Sequence, residues 1–93
     1  MQTVAVNQMV ESMSQVDFSG LKIPLITIYE KPLDFPNAFV ARVWDGAGPR
    51  ATNTIIMRFS LQECREDIAA AGFMVRFPRV EGDEPHIVET WMR

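Results

Sequence analysis

The spacing of apolar residues changes along this chain, and each change predicts an element. Val6, Met9, Val10, Met13 and Val16 recur at helical spacing, which predicts a helix over residues 3–16 that stops at Asp17-Phe-Ser-Gly20. So short and Met-rich a helix is marginal in water alone. Two readings are open: it packs on its own sheet or on a neighbouring subunit, or it is a frayed arm. From Leu21 to Glu30 the period shortens to two, with Ile23, Leu25, Thr27 and Tyr29 on one face and Ile26 and Ile28 on the other. Apolar residues on both faces predict a central strand, and Pro24 sits near its start, where a missing donor does least harm. Lys31-Pro-Leu-Asp-Phe-Pro-Asn37 reads as a loop. Ala38–Asp45 and Thr52–Phe59 alternate again and predict two more strands around the turn Gly46-Ala-Gly-Pro-Arg50.

Ser60-Leu-Gln-Glu63 is a capping box, in which hydroxyl and carboxylate each satisfy a backbone N–H of the other residue. It opens a helix over 61–71 that buries Leu61, Cys64, Ile68 and Ala71 and leaves Glu63, Arg65, Glu66 and Asp67 in water. Gly72 is placed to end it in a left-handed turn. Two last strands, about 73–79 and 86–92, flank Glu81-Gly-Asp-Glu-Pro85.

The order β-β-β-α-β-β predicts an α+β fold: a five-stranded, mostly antiparallel sheet with one helix on one face. The arrangement 4-5-1-2-3 makes every neighbour antiparallel and puts the most apolar strand in the middle. Alternation then sorts the side chains. Phe39, Ala41, Val43, Ile55, Met57, Phe59, Phe73, Val75 and Phe77 are expected beneath the helix. Val40, Arg42, Trp44, Ile56, Arg58, Met74 and Arg76 are expected on the other face. The last strand is ambiguous. Putting Glu89 and Trp91 with the arginines keeps a carboxylate out of the core, and it requires an even-length loop or a bulge, because a slip of one residue exchanges the faces.

The candidate site that results is Arg42, Trp44, Arg58, Arg76, Glu89 and Trp91. Arginines clamp anions by charge-assisted bonds, indoles stack on planar groups, and Glu89 can accept from a base or ribose. The set suits a nucleotide-like ligand. The same residues also suit a protein interface, where arginine and aromatics are enriched, or a wet face on which the arginines pair with nearby acids.

Composition narrows the classes. Ninety-three residues make one domain, 1–93, with a modest core. One cysteine cannot form an internal disulfide, and with one histidine it is too little for a metal cage. Small domains without such staples often gain stability by oligomerising. The net charge of −3 argues against general nucleic-acid binding, which needs a basic footprint. The N-terminus has no signal-peptide pattern and no stretch approaches a membrane span, so the expected compartment is the cytoplasm. His86 lacks a serine or cysteine partner, Cys64 lies on a buried stripe, and no phosphate loop, dinucleotide fingerprint or metal spacing occurs. No catalytic residue, cofactor or metal is therefore expected.

Ile28-Tyr-Glu-Lys-Pro-Leu-Asp-Phe-Pro36, Phe39-Val-Ala-Arg42, Ser60-Leu-Gln-Glu63 and Pro85-His-Ile-Val-Glu-Thr-Trp91 together resemble a family of small proteins of bacteria and their phages and prophages, over about residues 22–93. The resemblance implies a mobile-element accessory protein, such as a defence inhibitor, and carries over no activity. The functional expectation is a small binding protein that occupies a partner protein or a copy of itself. The alternative is a sponge for a nucleotide-like signal.

Overall fold

The computed structural model describes residues 8–48 and 50–93. Its elements are β1 (Gln8–Met9), a 3-10 turn (Met13–Gln15), β2 (Pro24–Glu30), β3 (Phe39–Asp45), β4 (Arg50–Arg58), α1 (Leu61–Ala70), β5 (Val75–Pro78) and β6 (Ile87–Met92). They form one sheet in the order β1-β4-β3-β2-β6-β5. The five expected strands stand in the expected order with every pairing antiparallel. The sheet is nevertheless six-stranded and mixed, because β1 adds to β4 in parallel. That strand replaces part of the expected N-terminal helix. Residues 3–7 of that helix lie outside the described residues, and of the rest only Met13–Gln15 is helical, as a single 3-10 turn.

The capping box forms on its serine side: Ser60 accepts from the Glu63 N–H at 3.1 Å, and Gly72 ends the helix at φ +94°. Cys64 and Ile68 of α1 meet Ile26, Ile28, Ala41, Val43 and Ile56 of the sheet in one core. Met13, Phe18 and Phe73 close it at the side. Phe18 and Phe73 meet edge to face with centroids 5.0 Å apart, and the Arg93 guanidinium lies 4.7 and 4.9 Å from the two ring centres. Each of these large side chains stabilises by about 1.5–3 kcal/mol when fully buried.

The strand register fixes which residues share a face. Ile28 pairs with Ala41 and with Glu89, Ala41 with Ile56, and Arg76 with Trp91. All of these point toward α1. The other face, here called distal, carries three rows across the sheet. One is Val75–Met92–Leu25–Trp44, the next Phe77–Thr90–Thr27–Arg42–Ile55, the third Ile87–Tyr29–Val40–Met57. Ile87 and Glu89 have the same parity yet face opposite ways, because β6 carries one extra residue, Val88, where it passes Ile28 and Tyr29.

Several expected faces are therefore exchanged. Phe39, Ala41, Val43 and Phe73 lie in or against the core as expected. Ile55 and Met57 are on the distal face, and Ile56 and Arg58 take their place beneath α1. Val75 and Phe77 are distal and exposed, Phe59 is exposed just past β4, and Met74 is exposed ahead of β5. Both parities of β4 are apolar, so alternation alone did not decide between them. Arg65 and Asp67 of α1 settle the matter by offering a charged partner to each polar group brought underneath.

Candidate functional site

The six candidate residues do not form one constellation. Arg42 and Trp44 lie on the distal face, whereas Arg58, Arg76, Glu89 and Trp91 lie on the helix side. The placement of Glu89 away from the helix is overturned. Glu89 is 4% exposed and sits beneath α1. Arg65 Nε donates to its Oε2 at 2.9 Å and Arg65 Nη2 to its Oε1 at 2.7 Å. Trp91 Nε1 donates to Oε2 at 2.8 Å, and Arg76 stands 3.9 Å from Oε1. Burial pushes the Glu89 carboxyl up, but the bonds from Arg65 and Trp91 and the charges of Arg65 and Arg76 outweigh it and hold the carboxyl below its ordinary value. Arg65 and Trp91 bond the buried carboxylate, so the cluster joins helix to sheet, while Arg76 stays half exposed at its rim.

Arg58 is absorbed in the same way. It donates to the Glu11 carbonyl and stands 3.4 Å from Asp67. Asp67 also accepts from Ser12 Oγ at 2.7 Å and from the Met13 N–H at 2.8 Å. A carboxylate expected in water thus tethers the 3-10 turn to α1. Cys64 is fully buried, and desolvation pushes its thiol up to about 12, which leaves it without thiolate character.

The distal face holds the candidate site. Arg42 Nη1 donates to the Thr52 carbonyl at 2.9 Å, which fixes its guanidinium over the sheet. Trp44 Nε1 is shut from solvent and lies toward the Tyr29 hydroxyl, but no hydrogen bond of good geometry to it is completed among the described residues. Tyr29, on β2, has its hydroxyl pKa raised by burial; the nearby Trp44 N–H and the Arg42 charge pull against the rise, while Glu84 and Asp83 add to it. A pocket of about 390 Å³ opens here. Its floor is Tyr29, Val40 and Arg42, one wall is Pro32-Leu33-Asp34 from the β2–β3 loop, and the other is Glu84 and His86 from the β5–β6 connection. His86 braces the second wall. Its Nδ1 lies 3.0 Å from the Glu30 carbonyl, which puts the proton on that nitrogen, and its backbone N–H donates to Glu84 Oε1 at 3.0 Å.

Of the sequence-selected residues, only Arg42 lines this pocket. Tyr29, Asp34, Glu84 and His86 were missed as a group. The signal for Asp34 and Glu84 was the pair of proline-marked loops, at Lys31–Asn37 and Glu81–Pro85, whose polar residues had no other assignment, and Tyr29 and His86 lie just outside them.

No protein family, curated protein or solved structure matches the chain. No helix among the described residues is long and apolar enough to cross a membrane.

Proposed function

We propose that the chain is a non-catalytic binding protein that acts on a partner protein through the distal face of its sheet, as an accessory protein of a mobile element does when it blocks a host defence. One observation carries this reading. The row Val75–Met92–Leu25–Trp44 crosses four paired strands on the face without α1, and it runs out to the edge strand, where Val75 and Phe77 are 44% and 47% exposed. Arg42 and Trp44 stand at the other end of these rows. An apolar band that meets arginine and an indole is the composition of interface hot spots. The nucleotide-sponge alternative loses the arginine cluster that motivated it, because Arg58 and Arg76 are turned toward acids on the helix side.

A photo-crosslinking residue in place of Phe77, compared with one in place of Glu66 on the exposed side of α1, tests the proposal in the cells that make the protein. The expected result is a discrete protein adduct from position 77 that disappears with Trp44→Ala. A dimer of the chain as that adduct would identify the partner as a second copy. Absence of an adduct, or the same adducts from position 66, overturns the proposal.

A further inference from the structure

β5 ends the sheet, and among the described residues only its β6 side is paired. The Arg79 N–H donates to the Val88 carbonyl at 3.2 Å, in the register that sets Phe77 opposite Thr90 and Val75 opposite Met92. Bonded and non-bonded pairs alternate along an antiparallel ladder, so Val75 and Phe77 turn their backbone groups to β6 and Arg76 turns its N–H and C=O outward. Pro78 also faces outward but brings no N–H, which keeps the open stretch short. Side chains divide between the two faces. Val75 and Phe77 reach the distal face, and Arg76 reaches the helix side, where it is 51% exposed. Its 3.9 Å contact with Glu89 Oε1 is too long for a hydrogen bond, and Arg65 and Trp91 already bond that carboxylate. One carboxylate thus faces two arginines, and the Arg76 guanidinium has donors left for a second acid.

We infer that the partner protein adds an extended segment to β5 as a further strand, with an aspartate or glutamate opposite Arg76 and an apolar residue on each side of it. This deepens the partner-binding reading, on which it rests, by naming what the partner brings to the sheet edge. Main-chain bonds to Arg76 hold such a strand, and the side chains select it. Residues directly across from one another share a face. An acid opposite Arg76 therefore comes to the helix side, and its two neighbours come to the distal face beside Val75 and Phe77. A second copy of β5 fits less well. Two copies paired antiparallel through their outward groups put both Arg76 side chains on one face within two residues of each other, where like charges repel.

The adduct from a photo-crosslinking residue at position 77, formed in the cells that make the protein, carries the test. Digestion and mass spectrometry are expected to place the crosslink in a partner stretch where an aspartate or glutamate stands between two apolar residues. Arg76→Gln is expected to lower the adduct yield about tenfold, the size of one charge-assisted hydrogen bond. Arg76→Pro also removes the outward N–H and is expected to abolish the adduct. Pro78 already takes the equivalent place in the strand, so the fold accepts the ring, which a thermal melt checks. If that variant melts early, Arg76→Gln and the mapped sequence decide. Four results overturn the inference and leave the partner-binding reading in place: an adduct that withstands Arg76→Gln, one that Arg76→Pro lowers no further in its folded form, one that maps to a stretch with no acid beside the crosslink, and one that is a dimer of the chain. No adduct at all overturns both.

Discussion

On the face beneath α1, Arg65, Arg76 and Trp91 converge on one buried carboxylate, and Arg58, the Ser12 hydroxyl and the Met13 N–H converge on Asp67. On the distal face Arg42 bonds a backbone carbonyl, the buried Trp44 N–H lies toward the Tyr29 hydroxyl, and Val75 and Phe77 face water. The residue types are the same on both sides. The difference lies in what stands above them. A helix that brings its own charges turns arginines and a tryptophan into ties between helix and sheet, and the distal face has no helix to do the same.

The contrast breaks most sharply at Glu89. Glu89→Ala leaves the Trp91 N–H unpaired and removes the carboxylate from Arg65, which is itself partly exposed, so an expected loss of about 2–4 kcal/mol in urea unfolding follows. The pH dependence has a definite sign. The Glu89 carboxyl is held below its ordinary value of 4.5 when folded, so its stabilisation is complete above that value and is lost as the pH falls through the lower folded value. Thermal melts of Glu89→Gln are expected to lack that part of the acid destabilisation. A smaller effect is expected at Asp67. Asp67→Asn weakens its contacts with Ser12, Met13 and Arg58 at a cost of about 1–2 kcal/mol, and hydrogen exchange at the Met13 amide is expected to rise more than exchange in β3. The smallest effect belongs to the distal edge. Val75→Thr, made in the chain that carries the crosslinking residue at position 77, is expected to change stability by only about 0.5 kcal/mol while abolishing the partner adduct. A large loss of stability there would mean that the distal face is structural too.

The sequence showed the strand order and the capped helix, because proline loops, Ser60, Gly72 and the two-sided apolar pattern of β2 are local signals. It did not show the faces. Glu89 was kept from the core on the ground that burying a carboxylate is costly, and that cost is real. The offsetting group, Arg65, lies twenty-four positions earlier on a helix whose charged side was read as solvated. The Val88 bulge is equally silent in composition, though it alone lets Ile87 and Glu89 face opposite ways. The pocket was legible only as two unexplained loops, because nothing in a single sequence says that residues 32–34 and 84–86 flank the same strand end.

The position of β6 between β2 and β5 has a consequence for synthesis. Translation delivers β2, β3 and β4 in order, and each can pair with the one before it. β5 emerges next and has no neighbour in the sheet until β6 follows. Until then one edge of β2, with Ile26 and Ile28, is unpaired, and Arg65 waits for its carboxylate. A nascent chain halted before Ile87 therefore presents an apolar strand edge to its surroundings, the form in which pausing or truncation would send this protein to chaperones or aggregates.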